Sequence, residues 1–290
     1  MSKEIIVGFD GSTDSSNAAL WAASEAQARG TRLRILSCFS VPVAGDAMHG
    51  MAAANVYQSS MEAAEQTLAR ERDAITKIHP GLEITSEALP GHAGQVLVDR
   101  AERDDLIVLG ASAHQHAAAF WLGSTPRYIV RHSRCPVVIV RGPVESARPR
   151  RVVVGVDGSP ASAEAVDWAG EEADVHGVNL VLVHAWSYPY AAVDAASSQA
   201  RDLTQIDAAC LLETALESAR QRSAAGVVGR LIESSPVAAL LHLAQPGDLL
   251  VVGSRGRGAV RAGLFGSTVN SVLDESTAPV VVMPRTHATP

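Results

Sequence analysis

Short apolar runs alternate along the chain with longer segments whose apolar positions recur at helical spacing. In the first half the runs predict strands near Ile5–Phe9, Arg32–Phe39, Glu83–Leu89, Leu106–Gly110 and Val137–Val140. Helices are predicted between them over Ser15–Arg29, Ser59–His79, Ala93–Arg103 and Pro126–His132, the last with proline at the first helical position, where a missing N–H costs nothing. The second half repeats the strands near Val152–Val156, Asn179–Trp186, Val227–Ile232, Leu249–Gly253 and Val280–Met283. Strands separated by helix-length amphipathic segments make a parallel sheet flanked by helices. One segment fits poorly: the Ala, Met and Gly residues of Ala44–Tyr57 read as a surface loop rather than a helix.

The halves are copies. Ile5-Ile6-Val7-Gly8-Phe9-Asp10-Gly11-Ser12 recurs as Val152-Val153-Val154-Gly155-Val156-Asp157-Gly158-Ser159, an offset of 147 that also relates Trp21 to Trp168, Leu33 to Leu180 and Pro42 to Pro189. After Pro189 the offset falls to 143, so the second copy lacks four residues there. A repeat of this length is a duplicated domain, since solenoid repeats run to roughly 20–50 residues. The expected architecture is α/β, with two tandem Rossmann-like open parallel five-stranded sheets of order 3-2-1-4-5 flanked by helices. The domains span 1–141 and 151–286, and the proline-containing polar segment 142–150 joins them. Trp21 and Trp168, recurring on the first helix of each copy, read as core residues.

Composition narrows the function classes. With 290 residues, 47% of them hydrophobic, the chain can bury a core in each domain. A net charge of −7 without a basic run argues against DNA, RNA and anionic membranes as partners. Absence of a leader-like start and of an apolar run near the roughly 20 residues that span a bilayer predicts a cytoplasmic protein. Cys38, Cys135 and Cys210 form no CxxC pair and read as reduced thiols.

The candidate chemistry lies in Gly253–Thr268, GSRGRGAVRAGLFGST, between a strand and a helix. Gly253, Gly256 and Gly266 suit close backbone approach and positive φ, and Ser267 and Thr268 place hydroxyls where a helix N-terminus exposes free N–H groups. Arg255, Arg257 and Arg261 add guanidinium forks that match phosphate oxygens. Together these meet the needs of an anion cradle; a plain glycine-rich surface loop is the bland alternative. The loop recurs as Gly110–Thr125, GASAHQHAAAFWLGST, in which Gly110, Gly123, Ser124 and Thr125 match but Ala113 stands for Gly256. In a sheet of this order, strands one and four straddle the crevice where ligands bind. Asp10 and Asp157 end strand one. Each is suited to a ribose hydroxyl or a divalent metal, or alternatively to capping the next helix through a DGS turn.

These features resemble the universal stress protein family, over essentially the whole chain as a tandem pair. The motif is a glycine, two residues, a glycine, nine residues, then Gly-Ser, and Gly253, Gly256, Gly266 and Ser267 fit it without a gap. VGFDGS and VGVDGS on the first strands, and the closing CPVVIV and APVVVM strands, support it. The resemblance implies ATP as ligand, and the strand-one carboxylate leaves open a magnesium ion beside its phosphates. The strand-one aspartate would contact the ribose, backbone near the end of strand two would read adenine, and the glycine loop would hold the phosphates. Carried over, this assigns Asp157, Ala185, Gly253, Gly256, Gly266 and Ser267 in the second domain, and Asp10, Cys38, Gly110, Gly123 and Ser124 in the first. Ala113 departs from the pattern, so the first site is expected to be the degenerate one. The resemblance also implies a pseudo-dimer through the terminal strands, with a further homodimer beyond it.

Three function classes follow: an ATP-binding regulatory module of the stress response without efficient catalysis, a slow metal-dependent ATPase or phosphotransferase, and a nucleotide-independent scaffold assembling through its terminal strands. The absence of GxxxxGK[ST] and of an SGGxDS loop favours the module. His114 and His116 read as loop histidines rather than metal ligands, His184 as a satisfied neutral histidine, and Arg127, Arg131 and Arg134 as solvent-facing.

Overall fold

The computed structural model describes residues 3–40, 47–111, 122–143, 148–188, 195–256 and 266–284. The chain divides into two units, Met1–Ala147 and Arg148–Pro290.

In the first unit, β1 (Glu4–Gly8), β2 (Arg32–Phe39), β3 (Ile84–Pro90), β4 (Leu106–Gly110) and β5 (Val137–Val140) are joined by α1 (Thr13–Arg29), α2 (Ala47–Ile78), α3 (Ala93–Arg100) and α4 (Ser124–His132). All pairings are parallel and the order is β3-β2-β1-β4-β5. The second unit repeats this with β6 (Arg151–Gly155), β7 (Asn179–Trp186), β8 (Val227–Glu233), β9 (Leu249–Gly253) and β10 (Val280–Met283), in the order β8-β7-β6-β9-β10. Its helices are α5 (Pro160–His176), α6 (Ala195–Arg222), α7 (Pro236–Leu243) and α8 (Ser267–Glu275). The predicted strand order therefore holds in both copies.

The central strands are apolar on both faces because helices cover both. Ile5, Ile6, Leu33, Ile35, Leu106 and Ile107 are buried in the first unit, and Val152, Val153, Leu180, Leu182 and Leu250 in the second. Each such side chain contributes about 1.5–3 kcal/mol relative to an exposed one. The paired helices α1 and α5 start and stop by the same chemistry. Ser12 and Ser159 cap their N-termini, accepting bonds from the amides of Ser15 and Ser162 at 3.1 and 3.2 Å. Gly30 and Gly177 end them in the left-handed region at φ 65° and 61°.

Three expectations are corrected. The stretch beginning at Ala44 is not a loop up to Tyr57: α2 starts at Ala47, since its Ala and Met residues are strong helix formers and Gly50 alone does not break the run. Pro126 occupies the third helical position, because α4 begins at Ser124 after an N-cap at Gly123; that position still lies in the first turn, whose N–H groups lack intrahelical acceptors. Trp21 is buried but Trp168 is only half-buried.

Candidate functional site

Both units build the same turn at the end of the first strand. Asp10 Oδ1 accepts a bond from the Ser12 amide at 3.0 Å, and Asp157 Oδ1 accepts from the Ser159 amide at 2.9 Å and its hydroxyl at 2.6 Å. Gly11 and Gly158 take φ of 81° and 74°, which a side chain resists, so the chain can reverse directly into the helix. A buried serine closes each turn: the Ser15 and Ser162 hydroxyls each donate to the carbonyl of the capping serine at 2.9 Å. The DGS turn therefore forms, but the serine rather than the aspartate caps the helix, and the aspartate stays at the carboxyl edge of the sheet. Burial alone would push the Asp10 carboxyl up, but hydrogen bonds from the Ser12 side chain and amide, the Ser15 hydroxyl and the Asp10 amide together outweigh it and hold the group below the ordinary carboxylate value.

In the first unit the predicted residues converge. Asp10, Cys38, Gly110, Gly123 and Ser124 all line one cleft of about 200 Å³. Phe9, Leu36, Leu97 and Leu109 give it apolar walls. Cys38, near the end of β2, is half-buried, and burial pushes its thiol up against the opposing pull of the Arg100 charge. The cleft ends at the start of α4, whose N-cap Gly123 supplies no side-chain bond to the helix. The N-cap adds no acceptor of its own, so the Ser124 and Thr125 amides of that first turn lack intrahelical acceptors, a condition for anion binding.

In the second unit Asp157 and the glycine loop touch. A Cβ at Gly256 would clash with Asp157 Oδ2, and the Ser159 hydroxyl reaches the Arg255 carbonyl at 3.5 Å. Gly253 has a different duty: a Cβ there would lie 2.9 Å from the Ala161 carbonyl in α5, as one at Gly110 would lie 2.5 Å from the Asp14 carbonyl in α1. The first glycine of the motif lets strand and helix meet, and the second admits the aspartate. Neither these nor Gly266 takes positive φ, so the sequence-based expectation of left-handed backbone there is corrected to one of close approach. Gly266 is the N-cap of α8 and makes no side-chain cap, a Cβ added there would meet nothing within 4 Å, and Ser267 and Thr268 open the helix.

Ala185 lies next to the end of β7, half-buried, at the position of Cys38 in the other copy. Beside it, His184 Nδ1 donates to the Val156 carbonyl at 2.6 Å, a bond that only a protonated Nδ1 can make. Arg255 is half-buried; Arg257, Arg261, Ala113, His114 and His116 lie outside the described residues. Arg131 and Arg134 are exposed, while Arg127 donates to the Leu122 carbonyl at 3.1 Å. Sequence reasoning missed Leu97 and Ala93 of α3, which wall the cleft, because an ordinary amphipathic helix carries no mark of what its inner face lines.

The sequence model of the universal stress protein family matches residues 1–141 and 149–284. A universal stress protein of Mycobacterium tuberculosis is 32% identical over 99% of this chain and 97% of its own length, and one of Mycolicibacterium smegmatis is 30% identical over 97% of each. The crystal structure of a universal stress protein from Archaeoglobus fulgidus superposes with a TM-score of 0.68 at 19% identity, covering 98% of this chain and 99% of that one. Among the described residues no helix is long and apolar enough to cross a membrane. With its two copies of one fold, the repeated aspartate turn and family matches that span both units, the chain belongs to the universal stress protein family.

Proposed function

We propose that the chain is an adenine-nucleotide-binding regulatory module, taking ATP with magnesium at the carboxyl ends of its sheets and working by ligand-dependent recognition rather than by efficient catalysis. The observation that carries this reading is the first unit's cleft, where Asp10, Cys38, Gly110, Gly123 and Ser124 come together. The residues fit the ligand. A carboxylate held in its charged form is an acceptor for ribose hydroxyls, and the apolar walls suit the faces of a base. The uncapped first turn of α4, with the Ser124 hydroxyl, offers donors to phosphate oxygens. In the second unit Asp157, Gly256, Gly266, Ser267 and Thr268 supply the same groups, and Arg255, Arg257 and Arg261 add positive charge along the loop. ATP would contribute the triphosphate charge that these donors neutralise. Assembly through the terminal strands and as a homodimer belongs to the same proposal and is checked by solution mass.

The test is calorimetric titration of ATP, with and without magnesium, into nucleotide-stripped protein. Wild type is expected to bind, and Gly266→Asp, which adds a negative charge in open space at the start of α8, is expected to lose the second unit's site while keeping its fold. Failure of wild type to take up ATP, ADP or AMP at millimolar concentration would sink the reading.

A further inference from the structure

We propose that the Ser254 hydroxyl is a ligand-bonding group of the second unit's site, a hydrogen-bond partner for a phosphoryl oxygen held at the start of α8. This rests on the nucleotide reading above and adds a residue that the family motif does not mark.

Ser254 directly follows Gly253 and is 2% exposed, yet among the described residues its Oγ has no hydrogen-bond partner. Buried hydroxyls without partners are uncommon and carry a desolvation penalty, so a native chain that keeps one calls for an explanation. The backbone here is fixed, because the Ser254 amide donates to the Met283 carbonyl at 3.1 Å and extends the β9–β10 ladder by one residue. Strand alternation then sets the side of the sheet. The missing Cβ of Gly253 faces Ala161 in α5, so the Ser254 side chain stands on the opposite side. That side carries α7, whose Leu240 faces Gly155, and α8, which packs on α7. The first turn of α8 is the one left uncapped by Gly266, whereas Ser159 and Ser235 cap α5 and α7.

The duplicated unit supplies an internal control. Ala111 occupies the matching position, donates the same ladder bond to the Val140 carbonyl at 3.1 Å, and is 6% exposed. A methyl group therefore satisfies the packing at this point of the fold. The additional oxygen in the second unit has no partner among the described residues, and it sits in the copy whose glycine motif is intact. A phosphoryl group at α8 would complete it.

The variant Ser254→Ala is compared with wild type by ATP and adenosine calorimetry and by thermal unfolding of the nucleotide-free full chain. The expected result is a weakening of ATP binding at the second unit of about tenfold, the worth of one hydrogen bond to a charged group. Adenosine affinity should be unchanged, and the free protein should melt at the same or a higher temperature, because an unsatisfied oxygen has gone. In a Gly266→Asp background the same substitution should change nothing. Wild-type ATP affinity retained in Ser254→Ala would overturn the assignment and leave the nucleotide reading standing. A lowered melting temperature would show that the hydroxyl is structural, and equal losses for adenosine and ATP would move it off the phosphate; either overturns the assignment. No ATP binding by wild type would overturn both proposals.

Discussion

The Asp157 carboxylate crowds the space that a side chain at Gly256 would need: a Cβ there would clash with Oδ2. Oδ1 is meanwhile held by the amide and hydroxyl of Ser159, so the carboxylate cannot swing away without breaking two bonds. Gly256→Ala should therefore displace the aspartate rather than unfold the unit. We expect an ATP affinity loss of about tenfold or more at that site, with a stability cost of about 1 kcal/mol, at the low end for overpacking because a side-chain tip yields more readily than backbone. Calorimetry and urea unfolding on one variant separate the two effects.

Gly110→Ala is predicted to behave in the opposite way. Its Cβ would meet the Asp14 carbonyl carbon and oxygen at 2.5 Å, both backbone atoms of the first turn of α1. The strand or the helix must shift, and a loss of about 2–3 kcal/mol is expected, visible as a lower urea midpoint with an unchanged slope. A midpoint equal to wild type would show that the strand and helix are not in contact as described.

The charge state of Asp10 gives a pH prediction. Its folded-state pKa lies below the ordinary value near 3.9. The ionised form is therefore favoured by folding, and its contribution is present above the unfolded pKa and lost as pH falls through the lowered folded one. Asp10→Asn removes that contribution. The stability gap between wild type and variant should be constant above about pH 5 and shrink as pH drops below about 4. A gap that widens on acidification would contradict the hydrogen-bond account.

The three thiols should react in a set order. Cys210 is exposed, Cys38 lies in the cleft, and Cys135 is buried, its thiol pushed up to about 11 by burial despite bonding to Ser133. Alkylation at pH 8 followed by mass spectrometry should label Cys210 first, Cys38 more slowly and Cys135 only on unfolding. Nucleotide held in the first unit's cleft should slow labelling at Cys38 alone. Labelling at Cys38 that ignores saturating ATP would show that the first site is the degenerate one, as the Ala113 departure implies.

Much of this was legible in the sequence because the repeat fixes correspondences that a single domain leaves open. The parallel sheet follows from apolar runs broken by helix-length segments, and Asp10, Gly110 and Ser124 share a cleft because β1 and β4 are neighbouring strands. What the pattern hid was local competition. The segment from Ala47 carries Gly50 but is dominated by helix formers, so it extends α2 instead of looping out. The glycines of the motif read as positive-φ positions open to a ligand, whereas Gly253 and Gly256 answer to the protein atoms packed against them, and such neighbours come from sequence-distant residues such as Ala161 and Asp157. Ser254 was passed over because one hydroxyl for a methyl is the smallest of differences between the copies.

Both α4 and α8 begin at a glycine that offers no cap, while α1, α5 and α7 each begin at a serine that does. The proposed nucleotide would supply an acceptor at those two helix starts, so part of the fold's stability would be held outside the polypeptide. Such a chain would turn adenylate abundance into its own persistence, since each binding event stabilises by RT ln(1 + [L]/Kd). A falling pool would then raise the unfolded fraction open to proteases, and the protein's lifetime in the cell would follow energy charge.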